Sequence, residues 1–239
     1  RLKGFIVDDE EKALFEKIKE LAEDINNISG SIIKDTLKAK GLIKEAASLE
    51  IKYRSGLYKL FDFEENKMLS EKDLLLVNAQ YIPASQLIID AKLKISEIMD
   101  SLMQYVLSNK GGASVLFIDE ISALDKHIKD YKNYHGYSFS DKERRAASEL
   151  LDLSAEIKAK AEIAVKLKSD TRAQLDSLFA KETEIMDTLD KTINLRKARI
   201  SSSLGIGNAL TEDIPAVHNI SKIEKDVARS WRLSGKYIF

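Results

Sequence analysis

Apolar side chains recur at steps of three and four residues along most of the chain. From Leu14 the stripe runs through Ile18, Leu21, Ile25, Ile28 and Ile32, the spacing of a coiled-coil seam. It continues more loosely through Leu37, Ile43, Ala46 and Leu49 toward Tyr58. Asp8, with Glu11 three residues on, suits an N-cap that satisfies free backbone N–H groups. The pattern predicts a first helix over 8–60, continuous or kinked where Asn26, Asn27 and Gly30 fall inside it.

The polar stretch Asp62 to Leu69 then reads as a connection, and Ser70 with Asp73 as the next N-cap. A second helix over 71–107 turns Leu74, Val77, Leu87, Ala91, Ile95, Ile98, Leu102 and Val106 inward. Pro83 lies inside it and predicts a kink, because proline lacks the N–H and clashes with the preceding turn. Asn109, Lys110, Gly111 and Gly112 end that helix. A third follows over 113–131 and runs into an aromatic loop with Tyr131, Tyr134, His135, Tyr137 and Phe139.

Ser140-Asp141-Lys142-Glu143 is a capping box, in which the serine and the glutamate each satisfy the other's backbone N–H. Behind it no Gly or Pro occurs until after Leu204, which predicts a helix over 141–204. At about 1.5 Å rise per residue, these ~60 residues span about 90 Å. Its stripe comprises Leu150, Leu153, Ile157, Ala161, Ala164, Leu175, Leu178, Ile185, Leu189, Ile193 and Ile200. Lys168, Thr171 and Glu182 stand where a dry seam takes Leu or Ile. They predict a partly wet centre, or a segment that repacks between two states. Ser201 to Asn208 reads as a flexible break, and a last helix over 214–231 carries Pro215 in its first turn, where proline is tolerated.

Short connections between successive helices make them antiparallel neighbours. The fold class expected is all-α, an elongated antiparallel helical bundle with long coiled-coil-like helices. Residues 1–204 form the bundle, and 205–239 form a break with a C-terminal helix packed on it. The composition agrees. Among 239 residues there are only two prolines and ten glycines, while apolar residues make up 44%. Charged residues reach 32%, above the usual ~25%, as suits the large surface of a thin bundle.

Charge and chemistry narrow the function. Thirty-eight basic and thirty-nine acidic side chains nearly cancel, and no basic block exists to neutralise phosphates, so no nucleic acid is expected as partner. The absence of cysteine excludes disulfides, cysteine nucleophiles and thiolate metal sites. The longest apolar runs, Leu74–Val77 and Val115–Ile118, are far short of the ~20 residues of a spanning helix. Arg1 at the first position reads as a processed or engineered start.

Val115-Leu116-Phe117-Ile118-Asp119-Glu120 resembles the Walker B strand of P-loop ATPases, which would give Asp119 a magnesium and Glu120 a water to orient. No Gly-Lys-Ser or Gly-Lys-Thr accompanies it, and Ile121, Leu124 and Ile128 continue at helical spacing. None of His127, His135 and His218 follows a glutamate by three residues, so the Glu-x-x-His di-iron pattern is missing. No Gly-x-Ser-x-Gly elbow is present. No catalytic residue, cofactor or metal site is therefore expected.

Val115, Leu116, Phe117 and Ile118, after two glycines and between long helices, give a layout that resembles helical pore-forming toxins. That resemblance implies an apolar head near 112–124 that reaches a membrane. The aromatic residues Tyr131, Tyr134, Tyr137 and Phe139, and Trp231 near the C-terminus, are candidates for contact with a protein partner or a membrane surface. The bland alternative is a packed loop closing the bundle end. The reading preferred here is a non-enzymatic interaction or assembly protein. It would bind other chains, or copies of itself, through long helical faces. A toxin component and a ligand-binding bundle, with Lys168, Thr171 and Glu182 as its polar core, stand behind it.

Overall fold

The computed structural model describes residues 9–107, 116–134, 139–202, 214–223 and 225–226. Among these residues there is no strand, and the fold is an all-α helical bundle. Helix α1 spans Asp9–Ser70. A short turn, α2 (Leu74–Leu76), runs through a π-helical turn at Val77–Tyr81 into α3 (Ile82–Leu107). Then come α4 (Leu116–Lys132), α5 (Asp141–Ser202) and α6 over 214–223. Contacts divide the chain into two units, one of Arg1–Asp35 with Asp170–Phe239 and one of Thr36–Ser169. Helices α1 and α5 contribute residues to both.

In the unit of Thr36–Ser169, side-chain bonds tie the helices together and set the directions of α1 and α4 against α5. Lys160 meets Glu45 at 2.6 Å while Lys67 pairs with Glu143, so α1 and α5 are antiparallel. Arg54 donates to Ser96 at 2.7 Å between α1 and α3. Lys94 reaches Glu120 at 3.4 Å between α3 and α4. Lys132 donates to Ser148 at 3.0 Å and Lys158 to Ser122 at 3.3 Å, which sets α4 against α5. The core between these four helices includes Ile43, Tyr53, Leu57, Leu60, Ile95, Leu102, Ile121, Ile128, Leu150 and Ile157.

The core seam of α1 follows Ala39, Ile43, Ala46, Tyr53, Leu57 and Leu60, steps of three, four and seven. Leu37 and Tyr58, placed on the inward stripe by the sequence, are exposed at 64% and 52%. Leu37 lies five residues past Ile32 and Tyr58 one past Leu57, so both fall off the side of the helix that faces the core. Gly56 lets α5 come close, since a Cβ there would stand 2.7 Å from Cδ2 of Leu150.

The first helix also runs on beyond its expected end. Asp62 to Leu69 is helical, not a connection. Asp62, Glu65 and Asn66 are exposed while Leu60 and Glu64 are buried, and no glycine or proline interrupts the turn. Asp73, not Ser70, caps the next helix, accepting the Leu75 N–H at 2.9 Å. Where the sequence predicts a kink at Pro83, the chain runs through a π turn just ahead of the proline and α3 continues through it. Pro83 has no N–H for the carbonyl four residues earlier, Ala79, and that carbonyl instead accepts the Tyr134 hydroxyl at 3.2 Å. The extra residue of a π turn shifts the helical phase. Ala84, Ile88, Ala91 and Ile95 are buried beyond it, whereas Leu74 before it is exposed.

The other unit is built from the N-terminal part of α1, the C-terminal part of α5 and α6. Its core contains Leu21, Ile185, Leu189, Ile193 and Ile220, with Phe15, Ile18, Ile25 and Val217 packed around it. Lys17 meets Glu184 at 2.7 Å, and Gln174 donates to Ser31 at 3.1 Å. Thr188 and Thr192 are buried, and their hydroxyls donate to the carbonyls of Glu184 and Thr188 one turn back. Glu11, read from sequence as part of a cap, is fully buried and pairs with the fully buried Arg196. The helix passes Asn26, Asn27 and Gly30 without a break. Ser201 and Ser202, read as the start of the flexible break, end α5 instead; Asp8, the rest of that break at 203–208, and 224 and 227–231 of the predicted C-terminal helix lie outside the described residues.

Candidate interaction face

The sequence concentrates candidate contact residues in the aromatic loop that follows α4. Tyr131 is fully buried at the end of α4, and its hydroxyl donates to Oε1 of the buried Glu64 at 2.6 Å. Phe139 is also buried and meets Tyr131 edge to face, with ring centroids 5.0 Å apart at 67°. The Lys67 ammonium stands 5.7 Å over the Phe139 ring, pairs with Glu143 and lies 4.0 Å from Glu64. The capping box forms as the sequence implies. Ser140 N–H and hydroxyl each reach Oε2 of Glu143 at 2.7 Å, and Glu143 N–H reaches the Ser140 hydroxyl oxygen at 3.3 Å. Burial pushes the Glu143 carboxyl up, but Lys67 and the Ser140 groups outweigh it and hold it below the usual carboxylate range.

These contacts place Tyr131 and Phe139 inside the core of their unit, and Tyr134 half-buried on Ala79. The buried Tyr131 and Phe139 rings pack in the core of that unit. Leu116, Phe117 and Ile118 belong to the first turn of α4, and their side chains lie outside the described residues. Val115, Tyr137, Trp231 and His135 lie outside them altogether. Asp119 is exposed on α4 and Glu120 pairs with Lys94, so the Walker-like run is helix from Leu116 onward. His127 is half-buried and His218 exposed. In the unit of Thr36–Ser169, Lys168 is half-buried. In the other unit Thr171 is buried, and the half-buried Glu182 carboxyl is pushed up by burial. Among the described residues no three His, Asp or Glu side chains gather to hold a metal, and no helix is long and apolar enough to cross a membrane.

What the structure adds is an apolar face where α1 and α3 lie side by side in the unit of Thr36–Ser169. Leu57, Tyr58, Phe61, Ile88, Ile89 and Lys92 line a groove of about 150 Å³ there. Tyr58 and Ile89 of the lining are exposed, and on the same two helices so are Ile51 at 67%, Ile82, and Leu93 at 62%. The Lys92 ammonium sits 4.2 Å from the centroid of the Tyr58 ring. The same ammonium holds the exposed Tyr58 hydroxyl below the usual phenol range. Next along the face, Arg54 is held by Glu50 on its own helix and by Ser96 across the groove.

The face has no nucleophile paired with a base. Its chemistry is to take apolar side chains from water, and its rim offers one cation. The sequence signal for it is a second stripe. Ile51 and Tyr58 are seven residues apart, as are Ile82 and Ile89, and Leu93 follows Ile89 by one turn. A seven-residue repeat keeps a row on one side of a helix, as a straight neighbouring helix requires. The chain matches no known protein family, no characterised protein and no solved structure.

Proposed function

We propose that this is a non-enzymatic helical interaction protein that binds another protein chain along the α1–α3 face. The observation that carries this reading is the exposed row of Ile51, Tyr58, Ile82, Ile89 and Leu93 around an apolar groove. Monomers seldom expose a contiguous apolar patch without a use for it. An amphipathic helix laid into such a groove buries its anchors at i, i+3, i+4 and i+7. Covering the exposed part of Leu93 alone removes enough apolar surface to contribute about 1–2 kcal/mol.

The test is site-specific photo-crosslinking in the native extract. A benzoylphenylalanine at position 58 or 93 is expected to capture the same discrete partner. The same label at exposed Glu162 on α5 is expected to capture nothing above background. Equal capture from all three positions, or none from 58 and 93, contradicts the reading.

A second reading has its own observation. Leu69, Leu74 and Leu75 are 75–79% exposed around the turn from α1 to α2, and apolar side chains at a turn suit contact with a lipid surface. This tip supports the pore-forming alternative at a place other than the head expected near 112–124, whose apolar side chains lie outside the described residues. It predicts dye leakage from anionic vesicles that is lost in the Leu74→Glu/Leu75→Glu variant. Leakage unchanged by that variant, or absent, removes the reading.

A further inference from the structure

Resting on the reading of the α1–α3 face as a protein-binding surface, we infer what chemistry its partner carries. The geometry points to an amphipathic helix that places one large apolar anchor in the groove and a carboxylate one turn away, against Lys92.

Three observations lead there. The groove volume, about 150 Å³, is that of a cavity that holds a single benzene-sized group, so it seats one Leu or Phe rather than a whole ligand. Beyond the groove the apolar row continues with Ile51 seven residues before Tyr58, Ile82 seven before Ile89 and Leu93 one turn after it, which suits a long helical occupant and not a compact molecule. Lys92 is the one charged residue in the lining. It has no carboxylate in ion-pair range among the described residues, and its ammonium rests on the Tyr58 ring.

The contrast with its neighbours is informative. Arg54 is already committed to Glu50 and Ser96, and Lys94 to Glu97 and Glu120. Among the described residues of this face, Lys92 is the cation held over an aromatic ring with no carboxylate within ion-pair range. A docked helix would desolvate it, and a cation covered without a partner is costly. An acidic residue on the incoming helix removes that cost and selects its register. The Tyr58 hydroxyl gives the same carboxylate a second donor.

The experiment is a selection from a displayed library of helical heptad peptides, randomised at the anchor and flanking positions, against the full chain. The same selection is run in parallel on the Leu93→Asp and Lys92→Glu variants. Enrichment of sequences with Leu or Phe one turn from Asp or Glu is expected on the native chain. That enrichment should disappear on Leu93→Asp and invert toward Lys or Arg on Lys92→Glu. Titration of one selected peptide should show about three- to tenfold weaker binding to Lys92→Glu. Unfolding midpoints of both variants close to that of the native chain show that the surface, not the fold, has changed.

Enrichment lost on Leu93→Asp but without any acidic preference overturns this inference and leaves the face as a protein site. Enrichment that survives Leu93→Asp, or no enrichment at all, overturns the reading of the face itself. Conversion of the native chain to a dimer that Leu93→Asp abolishes assigns the groove to a second copy and overturns the inference.

Discussion

Arg196 and Glu11 offer the sharpest test of how the unit formed by the N-terminal part of α1 and the C-terminal part of α5 is held together. Both side chains are fully buried. The guanidinium faces the carboxylate as a fork, with Nη2 on Oε2 at 2.7 Å and Nε beside Oε1. Both charges lie out of water, so removing one takes from the other its buried partner across the fork. Such a loss costs about 3–5 kcal/mol. Arg196→Met should sit at the lower end of that range, because Glu11 lies in the first turn of α1, where the helix dipole favours a negative charge. Glu11→Leu should sit at the upper end, because a guanidinium cannot shed its proton.

The double variant removes both charges and fills their volume with apolar atoms. It should lie within about 1 kcal/mol of the native protein, or above it. Urea unfolding followed by circular dichroism gives all four free energies, and the cycle should return a coupling of more than about 3 kcal/mol. Two single variants each costing under about 1 kcal/mol, or a double variant costing their sum, would refute the reasoning. The pair would then be a surface contact in effect.

Further predictions follow from single positions. Gly30→Ala and Gly41→Ala meet nothing within 4 Å and should each stabilise α1 by about 0.8–1 kcal/mol in urea unfolding. At Gly56 the new Cβ meets Leu150 at 2.7 Å, so overpacking of about 1–3 kcal/mol should cancel or reverse that gain. The buried Tyr53 hydroxyl has no hydrogen-bond partner among the described residues. Burial and then the charge of Asp125 push its phenol up, so Tyr53→Phe should be neutral or stabilise by about 1 kcal/mol; a loss of that size would reveal a partner. Glu143 is held below the usual carboxylate range when folded. Its stabilising contribution is therefore present above the unfolded carboxylate range and lost as pH falls through the folded value. Unfolding midpoints between neutral pH and pH 3 should fall less steeply for Glu143→Gln than for the native chain, and parallel curves would contradict this.

How far the fold could be read from the sequence depended on which forces acted locally. The long helices were legible because they follow from side-chain periodicity and missing breakers, and the Ser140–Glu143 capping box because its bonds close within four residues. Asp62 to Leu69 was misread because polarity alone does not stop a helix. Packing of Leu60 and Glu64 on other helices carries it through, and that packing is invisible locally. Leu74 was placed inside because the phase shift of the π turn at Val77–Tyr81 arises from how the chain answers Pro83. Glu11 looked like a cap because its partner, Arg196, is 185 positions away. The α1–α3 face was visible in principle as a second seven-residue row, but a single sequence does not say which of two apolar rows on a helix is the core.

That ambiguity is also where the functional account is most exposed. The direct measurement is calorimetric titration of the crosslinked partner, once isolated, into the native chain and into Leu93→Asp at several temperatures. The account predicts binding with a negative heat-capacity change, the mark of apolar burial, and its loss in Leu93→Asp while the unfolding midpoint stays within that of the native protein. Binding that is undiminished in Leu93→Asp would contradict the claim that the α1–α3 face is where this protein meets its partner.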